Sequence, residues 1–160
     1  MNAPVAQMNL LFAWLWILLG FVSGMILGMF FHRENWLGGY GSFKRRLYRL
    51  AHISFFGLGA VNLLFWLTAR SGSLAGMPAT IASGAFIIGG ITMPVCCVVM
   101  AHFPKAHLIF SVPVLSLITA GALTLVLLYG GTDVTAARFH QPTSGHFESQ
   151  GLDARATTNL

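Results

Sequence analysis

The chain has 160 residues, 56% of them hydrophobic and only 8% charged, with a formal charge of +5. A soluble domain carries roughly 25% charged residues, so water is excluded as the main solvent and the composition points to an all-α, polytopic membrane protein. The positive charge reads as a topology signal and calls for no nucleic-acid partner.

Four uncharged runs, 10–31, 50–68, 80–101 and 108–130, are long enough to cross a bilayer core, which takes about 20 apolar residues. With their flanks they predict helices at about 10–31, 44–69, 78–102 and 105–130. These would pack as two hairpins in an antiparallel four-helix bundle. The expected division is a transmembrane domain over 1–130 and a polar extracytoplasmic tail over 131–160.

The first run has no basic segment before it and exceeds the length of a signal-peptide core, so it reads as a retained helix. Gly20, Gly24 and Gly28 form a double small-xxx-small pattern that admits a neighbouring backbone. On a helical wheel Met25, Gly28, Met29 and His32 share an arc of about 100°.

The connection that follows carries Arg33, Lys44, Arg45, Arg46 and Arg49, and the later connection near 103–107 carries Lys105. This bias places both connections in the cytoplasm and both termini outside, in a bacterial cytoplasmic membrane. Trp36 and Tyr40 belong at headgroup level, Ser42 is the expected cap of the second helix, and FKRRLYR reads as a basic strip beside anionic lipid. Asn62 is the strongly polar residue deep in a span and reads as an interhelical hydrogen bond.

The third run holds Gly84, Ala85, Gly89, Gly90 and Pro94, and the fourth holds Pro113. Each proline frees a backbone carbonyl, with a kink or a widened pocket as the result. Cys96 and Cys97 lack metal or redox spacing and read as small packing residues. With Met93 as zero, Cys96, Cys97 and Met100 fall within about 60° while His102 falls near 180°, so sulfur and histidine diverge. Met25, Met29, Cys97 and Met100 remain a weaker candidate copper(I) set.

The string AHxxF occurs at 51–55 and again at 106–110, in what reads as a weak internal repeat. It leaves His32, His52, His102 and His107 at one end of four different helices. Histidines from facing helices are how a bundle holds haem iron axially. These four are therefore the candidate haem or metal ligands, with His52 first because it lies deepest. The layout is similar in architecture to small b-type cytochrome membrane subunits, although no family motif is matched. A quinone pocket, a non-haem metal and simple contact with lipid headgroups are the alternatives at the same residues.

Only four acidic residues are present, Glu34, Asp133, Glu148 and Asp153, none of them in a span. Carboxylate-bridged di-iron and intramembrane carboxylate relays are thus poorly supported, and no Walker loop, GxSxG or HExxH occurs. The tail, which contains His140 and His146, reads as disordered alone or as a docking segment. The functional expectation is a non-catalytic subunit of a membrane redox or respiratory complex that passes electrons between quinone and a partner subunit through haem b. The rival is a cofactor-free accessory or assembly subunit.

Overall fold

The structure, a computed structural model, describes the backbone of residues 3–71, 74 and 76–139 and the side chains of 7–71, 74 and 76–130. It is all-helical. The helices are α1 (Ala3–Phe31), α2 (Phe43–Arg70), α3 (Gly76–His102) and α4 (Ser111–Phe139), with short 3₁₀ segments at Trp36–Gly38 and Pro104–Phe110. Four segments are long and apolar enough to span a membrane: Gln7–Phe31, Phe43–Arg70, Gly76–His102 and Pro104–Gly130. The chain is a membrane-protein helix bundle.

Packing follows chain order, α1 on α2, α2 on α3 and α3 on α4, with α1 also touching α3. The contacts pair rising numbers on one helix with falling numbers on the next: Asn9 with Asn62 and Gly24 with His52, then Phe65 with Phe86 and Tyr48 with His102. Helices α2 and α3 are the most buried, whereas α1 and α4 expose most of their apolar side chains. Those exposed faces suit lipid, whose tails are as apolar as leucine.

Close approach depends on glycine at Gly20, Gly24, Gly89 and Gly90, as the sequence pattern anticipated, and also at Gly59, whereas Gly84 has nothing within contact distance. A Cβ on Gly20 would sit 2.8 Å from the Phe56 ring, and one on Gly59 would sit 3.2 Å from the Ala13 carbonyl. On α3, Gly90 lies under Phe12, and Gly89 lies under Leu117 of α4. Gly28, the third member of the α1 pattern, has nothing within contact distance.

Both intramembrane prolines have structural partners. Pro94 has no N–H for the Gly90 carbonyl four residues earlier, and Trp16 Nε1 of α1 donates to that carbonyl at 3.1 Å. Pro113 likewise deprives Ile109, and Cys96 Sγ of α3 donates to the Ile109 carbonyl at 3.4 Å. The lost intrahelical bonds become interhelical ones, α1 to α3 and α3 to the start of the fourth span. Prolines 104 and 113 also bracket the stretch that winds as 3₁₀. The regular α-helix therefore begins at Ser111, later than the expected 105, and it continues to Phe139, past the expected 130. Residues 140–160, most of the polar tail with His140 and His146, lie outside the described residues.

Asn62, read as an interhelical hydrogen-bonding residue, accepts from Asn9 Nδ2 at 2.8 Å. Ser83 of α3 donates to Asn9 Oδ1, and Asn62 Nδ2 returns to its own helix at the Leu58 carbonyl, 2.8 Å away. Asn9 and Asn62 are both 0% exposed. Three helices are thus joined by a satisfied polar knot on one side of an apolar core built on Phe65, Leu74, Ala79, Ala82, Phe86 and Ala120.

At the other end of the bundle, Ser42 caps α2 as expected, accepting from the Arg45 amide at 3.2 Å. Lys44, Arg46 and Arg49 are exposed, but Arg45 departs from the expected basic strip and is only 1% exposed. Its Nη2 donates to the Phe31 carbonyl at 3.0 Å, and its guanidinium lies 3.9 Å from the Tyr40 ring centre and 4.4 Å from that of Phe31. The last carbonyl of α1 and two aromatic faces take the place of a carboxylate.

Replacing Trp16 by Phe should lower stability by about 1–3 kcal/mol, the cost of an unpaired buried carbonyl. In a Pro94→Ala background, where residue 94 supplies an N–H again, the same replacement should cost much less. Thermal unfolding of the four variants in one detergent measures this coupling; strictly additive losses would refute the proposed exchange of bonds.

Candidate functional site

His52 sits in the third turn of α2, and its ring is fixed on two sides. Its Nδ1 lies 3.0 Å from Ser23 Oγ of α1, and its edge meets Gly24, where a Cβ would be 2.8 Å from Cε1. Phe56, one turn further along α2, meets the ring at 89° with centroids 5.5 Å apart.

Ser23 Oγ lies 3.0 Å from both the Gly20 carbonyl and His52 Nδ1. When its hydroxyl proton goes to the Gly20 carbonyl, Ser23 accepts from Nδ1, and a neutral imidazole then has its lone pair at Nε2. A histidine anchored in this way through one nitrogen has the other positioned to accept a proton or to ligate a metal.

The imidazole borders a cavity of about 270 Å³ between α1, α2 and α3. Phe30, Trp36, Tyr48 and Phe55 line it with their rings, and Ser23 and Val98 close it from α1 and α3. A second cavity of about 350 Å³ adjoins it, sharing Ala51, Phe55 and Val98, and continues along Trp16, Ile91, Pro94 and Val95. Together they form an apolar groove with its polar groups at one end. Sites for small organic molecules are of this kind, mostly apolar with a few fixed polar groups, and span roughly 300–1,000 Å³.

Tyr48 precedes His52 by one helical turn, so both project into the same cavity. Its hydroxyl lies 3.0 Å from Nε2 of His102, the last residue of α3, and the two rings meet at 84°. His102 is exposed, as are His32 and His107.

Of the four candidate ligands, the structure brings His52 alone to the cavity wall and links His102 to it through Tyr48. His32 and His107 line neither part of the groove. The α1 face of Met25, Gly28, Met29 and His32 is exposed throughout; Gly20, Ser23 and Gly24 are the residues turned toward α2.

The two AHxxF strings also differ in backbone: the first lies within α2, the second within the 3₁₀ segment before α4. Among the described residues no group of three or more His, Cys, Asp or Glu is placed to share a metal ion. Cys97 is fully buried while Met25 and Met29 are exposed, so the candidate copper residues do not share one environment. Ser23, Trp36 and Tyr48 were not singled out as site residues, although Ser23 falls between two contact glycines and Tyr48 stands at helical spacing from His52.

No family model, curated protein or solved structure matches the chain.

Gly24→Ala should push the His52 ring away from Ser23, whereas Gly28→Ala should be silent. Imidazole NMR signals of the two variants against the parent provide the check, with a large His52 shift expected only for Gly24→Ala.

Proposed function

We propose that the chain is an integral membrane subunit of an electron-transfer assembly, and that the groove beside His52 takes a quinone. One observation supports this reading: a histidine bonded through Nδ1 to Ser23 lines an aromatic cavity that runs on into a longer apolar groove. A quinol ring stacks among Phe30, Trp36 and Phe55 and donates its hydroxyl to Nε2, and a prenyl tail follows the groove along Ile91 and Val95. In this reading partner subunits supply and accept the electrons.

Haem b on His52 is the second reading. The lone pair at Nε2, backed by the Ser23 hydrogen bond, favours it. Axial ligation by two histidines of this chain has less support, because among the described residues no second histidine lines the groove.

The basic bias of the 33–49 and 103–107 segments supports an antiparallel arrangement with both termini outside a bacterial cytoplasmic membrane. Single cysteines placed at Gly41 and at Ser71, in a Cys96→Ala, Cys97→Ala background, should react with a membrane-impermeant maleimide from opposite sides. Labelling of Gly41→Cys from outside intact cells would reverse the orientation.

Purified protein in nanodiscs should bind decylubiquinone with quenching of Trp36 and Trp16 fluorescence. His52→Ala should weaken that binding about tenfold, the worth of one hydrogen bond of about 1.4 kcal/mol. A reduced-minus-oxidised spectrum with Soret and α bands that vanish in His52→Ala would favour haem instead. A folded, colourless protein that leaves the quinone unbound would exclude both and leave the accessory-subunit reading.

A further inference from the structure

We infer that a cavity between the two Lys/Arg-bearing connections holds one anionic phospholipid, with the Lys44 ammonium on its phosphate. The cavity measures about 540 Å³. Leu37 of the first connection, Phe43 and Lys44 at the start of α2, Ala101 near the end of α3 and Pro104 beyond it form the wall. It shares no lining residue with the groove beside His52, so it stands apart from the quinone reading.

The level of the cavity points to lipid. The spans start or stop at Phe43, His102 and Pro104. The wall therefore lies where apolar segments give way to polar connections, which is the headgroup level of a bilayer. Phe43, Lys44 and Pro104 are exposed, so the cavity is open to its surroundings. Leu37, Phe43, Ala101 and Pro104 offer an apolar surface to the glycerol backbone and the first acyl carbons. Lys44 offers a cation to the phosphate. Basic pockets between transmembrane helices take anionic headgroups in this way.

The charges around the cavity leave Lys44 as the ligand. Ser42 also lines it, but its hydroxyl donates to the Leu37 carbonyl at 2.6 Å and accepts from the Arg45 amide at 3.2 Å. Around α2, Arg46 and Arg49 lie about 160° and 140° from Lys44, and Arg46 Nη2 donates to the Gly41 carbonyl at 3.0 Å. Arg45 is held in its aromatic cage. The basic strip thus divides, and one member of it meets the cavity. Lys105, next in chain to Pro104, is exposed and adds positive potential. Glu34 is the one carboxylate in either connection, and it does not line the cavity.

The test uses the purified full chain in detergent, titrated with phosphatidylglycerol or phosphatidylcholine and read by native mass spectrometry. The parent should take one phosphatidylglycerol about tenfold more tightly than phosphatidylcholine. Lys44→Gln should abolish that preference, the loss expected for one hydrogen bond between charged groups. Lys44 is exposed, so its replacement leaves the helix packing alone. Lys44→Arg should keep the preference. Arg49→Gln, the same charge change on the far side of α2, should also keep it. Equal losses in Lys44→Gln and Arg49→Gln would mean a diffuse basic field without a site, and overturn the inference. A parent that does not distinguish the two lipids overturns it as well. So does displacement of the bound lipid by millimolar glycerol 3-phosphate, which would assign the cavity to a soluble phosphate.

Discussion

In hydrocarbon a backbone carbonyl has no water to turn to, so every one that leaves its helical ladder must find a donor inside the protein. Two prolines create that demand here, and the answer to it organises the bundle. The Gly90 carbonyl is met by Trp16, which pins α1 across α3. The Ile109 carbonyl is met by Cys96, which ties the 3₁₀ entry of the fourth span to α3. Helix α1 approaches α3 at Gly90, where Phe12 and Trp16, stacked with centroids 4.0 Å apart, lie over a residue without a side chain. A proline, a glycine and an indole thus make one joint, and the wall of the groove at Pro94 and Trp16 is part of it.

The same constraint explains the polar knot of Asn9, Asn62 and Ser83. Amides in lipid contribute modest energy, averaging about 0.6 kcal/mol per interhelical bond, because even the unfolded helices find partners. Their main effect is registry. With both Asn side chains fully buried, sliding α1 against α2 by a turn would leave several polar atoms without partners at once. The knot fixes one part of the α1–α2 contact and the seating of His52 against Ser23 and Gly24 fixes another, so the position of the imidazole follows from the whole length of the helix pair.

The spans, the basic ends and the α2 cap were legible in the sequence, because hydropathy, Lys/Arg counts and Ser42 act locally. Gly20 and Gly24 were legible as contact positions for a similar reason: the absence of a side chain is visible in one dimension. The four-histidine ring was less so. Four histidines near one level share a depth, but depth does not fix azimuth, and His32 and His107 turn outward while His52 turns in. Neither Ser23 nor Tyr48 stood out, since a serine among glycines and a tyrosine in a basic strip have common roles elsewhere. Arg45 was hidden for a related reason, as nothing in FKRRLYR separates the residue that turns inward from those that stay in water.

That inward arginine bears directly on the site. A guanidinium without a carboxylate is tolerated because the α1 C-terminus and surrounding π faces offer negative potential. Trp36, 5.8 Å from the Arg45 guanidinium, is one of those faces. It also stacks on Phe30 at 11° and roofs the cavity beside His52 and Tyr48. The connection bends at this point through Leu37, Gly38 and Gly39, all with positive φ, a conformation that costs a non-glycine residue energy unless its surroundings hold it. Ser42, the cap of α2, holds it by donating its hydroxyl to the Leu37 carbonyl at 2.6 Å, while Arg45 joins the end of α1 to the first turn of α2 across the bend. The roof of the groove therefore rests on two supports, the bend that the Ser42 hydroxyl pins at Leu37 and the buried guanidinium 5.8 Å from the Trp36 ring.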